Sequence, residues 1–168
     1  MESIRHLYKI GHGPSSSHTI GPRKAANMFL HEIPSETARI DVTLFGSLAA
    51  TGKGHLTDKA VLEILTPVVP AEIIWKPDIV LPFHTNGIRF DALSSEGTQL
   101  HSRTYYSIGG GDIVREGESR QPADSIYSMT KIKDILQWCE QTGLSYWEYV
   151  GQTEGPEIWD YLREVWHV

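Results

Sequence analysis

The sequence predicts an α+β fold: two layers with a mostly antiparallel sheet, extended by helices toward the C-terminus. Three observations predict it. The elements run helix, strand, helix, then a series of short strands, then helices again. The 168 residues, 40% hydrophobic and 21% charged, are enough to bury a core at globular composition. No apolar run reaches the roughly 18 residues that a membrane helix needs. The reading divides the chain at a Pro122-Ala123 boundary, into an α+β domain over residues 1–120 and a helical extension over 121–168.

Gly11 to Ser17 (GHGPSSS) reads as a loop, and a helix follows it. Gly21-Pro22 suits a first turn, where the missing proline N–H would be unpaired anyway. Ala25, Met28 and Phe29 continue at helical spacing. Arg39 to Leu44 alternates polar and apolar, the period of a half-buried strand. Thr57 to Leu65 puts Ala60, Val61, Ile64 and Leu65 on one helical face, with Asp58 complementing the dipole at its start. Short strands are expected at Glu72–Trp75, Ile79–Leu81, Ile88–Ala92, Thr98–Tyr106 and Asp112–Arg115. The third and fourth pair as a hairpin around Ser94–Gly97. Met129, Ile132, Ile135, Leu136 and Cys139 form a helical stripe closed by Gly143. A last helix from about Pro156 carries Ile158, Trp159, Leu162, Val165 and Trp166 on one face, too apolar to stand alone in water.

Charge excludes one class of partner. The net charge is −6, and all of it lies in residues 116–168; residues 1–115 are balanced. No basic stripe is present to neutralise phosphates, so nucleic-acid binding is disfavoured. A single cysteine, Cys139, rules out an internal disulfide framework and any cysteine-only metal site in this sequence. It is expected in a helical core rather than in chemistry. The N-terminus has no apolar leader, and the cytoplasm is the expected compartment.

Three constellations could carry chemistry. In Gly13-Pro14-Ser15-Ser16-Ser17-His18-Thr19, a helix start offers unpaired N–H groups to an anion and the serines add donors. His18 adds a proton acceptor at the same place. The plain alternative is a helix capped by Ser17 or Thr19. In Gly46-Ser47 with Thr51-Gly52-Lys53-Gly54-His55, two glycines around a lysine let backbone approach a ligand, and His55 again precedes a helix. The run is not a phosphate-binding P-loop, because Gly54 stands where a serine or threonine is needed. An ordinary turn with a solvated histidine explains it equally well. In Tyr105 to Gly111, three consecutive glycines imply unusual dihedrals or close backbone contact. Asn86-Gly87 is a turn signal first. His6, His12, His31, His84, His101 and His167 are weaker candidates, and Asp41 and Asp91 read as solvated strand carboxylates. No Gly-x-Ser-x-Gly elbow supports a serine hydrolase.

Together the runs GHGPSSSHTIGP, FGSLAATGKGHLTD and TYYSIGGGDIV resemble the β chain, or N-terminal β domain, of the iron–sulfur-dependent L-serine dehydratases. The resemblance is close over residues 3–116. It implies deamination of L-serine to pyruvate and ammonia with a [4Fe–4S] cluster whose open iron acts as a Lewis acid. The cluster thiolates belong to an α chain or α domain, the implied partner, so this sequence alone binds no cofactor and no metal and is expected to be inactive. The family's motif histidines match His18 and His55, implied in proton transfer. Its polar loop matches Ser15, Ser16, Ser17 and Thr19, and its histidine-presenting turn matches Gly52, Lys53 and Gly54, so Ser15, Ser16, Ser17, Thr19 and Lys53 are the expected substrate contacts. The motif usually has an apolar residue at His12 and Met at Arg23, so no role is carried over to either. The implied fold is similar to the allosteric substrate-binding domain of some D-3-phosphoglycerate dehydrogenases. That leaves a regulatory domain binding serine or another small anion as the alternative. Which histidine is base, and whether further copies assemble, stay open.

Overall fold

The computed structural model describes residues 1–119 and 124–168, so the boundary expected at Pro122-Ala123 lies outside the described residues. The chain forms two compact units, Gly11–Arg120 and a second made of Met1–Ile10 with Gln121–Val168. The first ten residues thus group with the C-terminal helices, a pairing that the sequence division at residue 120 does not make.

The first unit is α+β. Its strands are β1 (Arg39–Phe45), β2 (Ala71–Lys76), β3 (Gly87–Leu93), β4 (Gln99–Gly109) and β5 (Asp112–Arg115). They form one mixed sheet in the order β2-β1-β3-β4-β5. β1–β2 is parallel and the other pairings are antiparallel. A parallel neighbour requires a crossover, and α2 (Gly46–Thr51) with α3 (Thr57–Leu65) makes it between β1 and β2. α1 (Gly21–Leu30) precedes the sheet in sequence. The period-2 pattern of the strands decides what the helices cover. Ile40, Val42 and Leu44 of β1 lie opposite Ala92, Phe90 and Ile88 of β3. All six are fully buried, in one core with Ala25 and Phe29 of α1, Leu48 of α2 and Val61 and Leu65 of α3. Phe29 stacks on Phe90 at 5.1 Å.

Several expectations are corrected. Ile79–Leu81 is not a strand. The carbonyl of Ile79 accepts from the N–H of Gly46 at 2.8 Å, so it serves the start of α2 instead of a ladder. Leu81 packs where a Cβ on Gly87 would stand, 2.7 Å from its Cδ1. Asp91 is buried rather than solvated: it pairs with Arg89 Nε at 2.9 Å and accepts from Ser102 Oγ at 2.6 Å. Asp41 pairs with Arg39 Nε at 3.2 Å. The three glycines 109–111 all have positive φ (106°, 59° and 76°) and turn β4 into β5.

The second unit contains α4 (Ile132–Thr142), α5 (Tyr146–Glu154) and α6 (Ile158–His167). α4 ends as expected, with Gly143 left-handed at φ 71°. The sequence reading gives no helix at α5, whose apolar stripe is a single turn, Tyr146, Tyr149 and Val150; its clearer signal is the capping box of Ser145 and Glu148. Tyr127, Ile135 and Tyr149 make the buried centre, and Cys139 packs partly against it. Of the α6 stripe, Ile158 is buried and Trp159 lies edge-on to Trp147 at 5.8 Å, whereas Trp166 is 86% exposed. No helix among the described residues is long and apolar enough to cross a membrane.

Glu154 ties the N-terminus into this unit. Its carboxylate accepts from Ser3 Oγ at 2.6 Å, from the Ile4 N–H at 2.8 Å and from Tyr127 Oη at 2.7 Å. Burial works to raise its pKa, but those hydrogen bonds and Arg5 outweigh it and hold the group below its ordinary 4.5. A depressed carboxylate pKa adds stability that is present above 4.5 and lost as pH falls through the folded value. Glu154→Gln should therefore cost about 1 kcal/mol at neutral pH and flatten the acid-side loss of stability. Denaturant titrations followed by tryptophan fluorescence, with four of the five tryptophans in this unit, read both effects. Equal acid sensitivity in the two proteins would contradict the assignment.

Candidate functional site

The candidate site lies wholly within the α+β unit. Its first wall is a π-helical turn, Ser16–Ile20, that runs straight into α1. Ser15, not Ser17 or Thr19, caps it: Ser15 Oγ accepts from the His18 N–H at 3.3 Å. The Thr19 hydroxyl accepts from the Ser15 N–H at 3.0 Å and donates to the Ser15 carbonyl, so Thr19 holds the loop shut. Gly21 leaves no room for a Cβ beside Ser107, which lets the turn sit against β4.

The second wall is α2. Gly46 has φ 49°, and a Cβ there would lie 2.5 Å from the Thr85 carbonyl, so glycine is required for α2 to start where it does. Ser47 and Thr51 are four residues apart and share one face of this short helix. Both reach His18: Nε2 is 3.0 Å from Thr51 Oγ1 and 3.4 Å from Ser47 Oγ. On the other side of the ring, Nδ1 is 3.0 Å from Ser17 Oγ and 3.5 Å from Ser15 Oγ. His18 is only 9% exposed. Burial lowers its pKa, the neighbouring His55 lowers it further, and a hydrogen bond to the Ser47 backbone opposes both.

His55 arrives from the turn after α2. The two imidazole centroids are 4.6 Å apart at an interplanar angle of 35°. Nδ1 of His55 lies 3.0 Å from the Thr51 carbonyl, which can only accept, so Nδ1 carries the hydrogen and Nε2 is left bare in the neutral ring. The next residue, Leu56, is held at φ 57° without being glycine, a local strain immediately beside the histidine.

The structure thus brings Ser15, Ser17, His18 and His55 together, with Thr19 bracing them. It does not bring all the expected contacts in. Ser16 is exposed, and its carbonyl closes the turn onto the Gly21 N–H. Lys53 lies over the Trp75 ring, Nζ 5.4 Å from its centroid. Ser47 and Thr51 belong to the second constellation without an expected role; their i, i+4 spacing is the sequence signal that places both on one face. Asn86 and Ser107 also belong to this region. Each N–H or amide of the pair donates to the other's backbone carbonyl, at 3.0 and 3.2 Å. Ser107 Oγ and Asn86 Oδ1 are buried without a partner. Of the other histidines in this unit, His84 Nδ1 accepts from the Asn86 N–H at 3.1 Å, His101 stacks on Phe29, and His12 and His31 are exposed. Among the described residues, no three His, Cys, Asp or Glu side chains converge as a metal site. The arrangement supplies two adjacent imidazoles and a set of neutral hydroxyls, suited to moving protons next to a small polar molecule.

Comparison with known proteins finds a family described as the serine dehydratase beta chain, whose sequence model matches residues 3–74 and 66–118. An L-serine dehydratase of Mycobacterium bovis is 36% identical over 85% of this chain and 40% of its own length. The enzyme of that name from Streptomyces coelicolor is 33% identical over 99% of this chain and 48% of its own. L-serine dehydratase 2 of Escherichia coli is 32% identical, covering 100% and 47%. The chain spans about half the length of the curated relatives it matches, or less.

The lowered pKa of His18 has a measurable consequence. The folded ring stays neutral below the ordinary value of 6.5, where the unfolded chain already takes up a proton. Stability from this group is therefore present above pH 6.5 and lost as pH falls through the folded value. In a proton NMR titration the His18 ring should show its midpoint below 6.5. A midpoint at or above it would contradict the burial argument.

Proposed function

Because the chain belongs to the serine dehydratase β-chain family, we propose that it is the β region of an L-serine ammonia-lyase. In this reading it works with a cluster-bearing α portion to convert L-serine to pyruvate and ammonia. The observation that carries the reading is the pair of imidazoles 4.6 Å apart, one of them nearly buried, beneath a serine-rich turn. Serine deamination needs removal of the α-proton and protonation of the departing hydroxyl, and a pair of adjacent imidazoles can serve both. His18, held neutral by its surroundings, is ready to accept a proton at pH 7. Ser15 offers its hydroxyl hydrogen to a substrate carboxylate, Ser17 offers oxygen lone pairs to the substrate ammonium, and the N–H groups at the start of the turn add a favourable field.

This chain's own residues do not fit a [4Fe–4S] cluster. Its one thiol, Cys139, lies in the helical unit, and no three-residue ligand set is found among the described residues. We therefore assign the cluster's thiolates, and the Lewis acidity they support, to the α portion. The chain alone should be colourless and release no pyruvate. The cytoplasm suits such an enzyme.

The test is reconstitution of this chain with its α portion, iron and sulfide, followed by a pyruvate assay with serine. His18→Asn and His55→Asn should each lower the rate by roughly 10²–10⁴-fold while the fold is retained. Near-normal turnover in both variants would overturn the proton-transfer roles. Serine binding with unchanged turnover would favour the alternative reading, a regulatory domain that binds serine or another small anion.

A further inference from the structure

We propose that Thr51 is a positioning residue that sets opposite tautomers in the two imidazoles: its hydroxyl keeps the hydrogen of His18 on Nε2, and its carbonyl keeps the hydrogen of His55 on Nδ1. The proposal rests on the functional reading above for its catalytic meaning, but its geometry stands independently.

Thr51 has a single hydroxyl hydrogen. Its Oγ1 lies 2.9 Å from the Ser47 carbonyl, one turn back in α2, and that carbonyl can only accept. With the hydrogen committed there, the same oxygen meets His18 Nε2 at 3.0 Å as an acceptor. Nε2 must then carry the ring hydrogen. Nδ1 of His18 is left as a lone pair, 3.0 Å from Ser17 Oγ, and takes the hydrogen of that hydroxyl. Ser17 consequently turns its oxygen lone pairs, not its hydrogen, toward any other partner.

The role of the Thr51 carbonyl depends on where α2 stops. Thr51 is its last residue, and its carbonyl points into the turn that follows. It accepts from the backbone N–H of His55 at 3.2 Å, four residues on, and from His55 Nδ1–H at 3.0 Å. Backbone and ring of His55 are therefore gripped by one oxygen. One residue thereby makes the two imidazoles non-equivalent: His55 has a bare Nε2, and His18 has a bare Nδ1 already engaged by a serine hydroxyl. A threonine suits the place because its branched Cβ restricts χ1 and points the hydroxyl back along the helix.

The test separates the tautomer claim from the functional reading. In ¹⁵N-histidine-labelled chain at a pH where both rings are neutral, long-range proton–nitrogen NMR should show His18 protonated at Nε2 and His55 at Nδ1. Thr51→Val keeps the shape and the carbonyl but removes the hydroxyl. It should move the His18 nitrogen shifts toward a tautomer mixture and leave His55 unchanged, and Thr51→Ser should restore the wild-type pattern. A wild-type His18 protonated at Nδ1, or His18 shifts unaltered by Thr51→Val, overturns the proposal; the first needs no variant to fold. In the enzyme reconstituted with its α portion, Thr51→Val should lower kcat about tenfold or more with KM little changed, and Thr51→Ser should recover it. Normal kcat in Thr51→Val overturns the positioning role. Failure of the reconstituted wild type to deaminate serine overturns the functional reading instead, and leaves the NMR pattern to decide the tautomers.

Discussion

A nearly buried imidazole with every polar atom provided for is the constraint on which the site depends. His18 cannot be removed from water unless both ring nitrogens find partners. Hydroxyls from two separate segments supply them, Ser17 and Ser15 on one edge and Thr51 and Ser47 on the other. That requirement brings the π-helical turn and α2 to the same place. Their approach in turn requires glycine at 21 and at 46, where a side chain would collide with Ser107 or with the Thr85 carbonyl. The chain of necessity runs from one ring to two helix starts to the ends of β3 and β4.

The choice of hydroxyls over carboxylates matters for chemistry. A carboxylate beside His18 would raise its pKa and favour the charged ring. The hydrogen-bond partners described for His18 and His55 are hydroxyls and a carbonyl, and burial together with the adjacent imidazole pushes His18 the other way. A neutral ring with one bare nitrogen accepts a proton; a charged one does not. On the proposed reading, the strain at Leu56 is then intelligible as the cost of delivering His55 to within 4.6 Å of its neighbour.

Much of this could be read in the residues, and the reasons for the remainder are specific. Helices α1 and α3 and strands β1, β3, β4 and β5 follow from apolar period, from Pro22 near a helix start and from turn residues at Ser94–Gly97. His18 and His55 stood out because each precedes a helix in a glycine-rich setting. Ile79–Leu81 misled because a short apolar run reads as a strand whether or not a neighbour is free to pair with it. Helix α5 is hard to read because its apolar period lasts a single turn and a capping box is the clearer sign of it. Asp91 escaped because its partners are a residue two positions along the same strand and Ser102 on the next, and cross-strand register is not visible in one sequence. Ser47 and Thr51 escaped for a related reason. Their spacing shows that they share a face, but nothing local says that His18 lies opposite.

The same logic explains why the site's character is set by polar residues without formal charge. On the proposed reading, a site that admits a zwitterion such as an amino acid gains little from a fixed charge that one end of the substrate would repel. Hydroxyls can turn to donate or to accept, so the same serine can face a carboxylate or an imidazole nitrogen. Their weakness is orientation: a rotor supports proton transfer only if something fixes which way it points. In this chain the fixed elements are backbone carbonyls, those of Ser15, Ser47 and Thr51, each taking a hydroxyl or ring hydrogen. The direction of hydrogen bonding around the two histidines is thus imposed by main-chain geometry, which is the least mutable part of the fold, and the side chains inherit it.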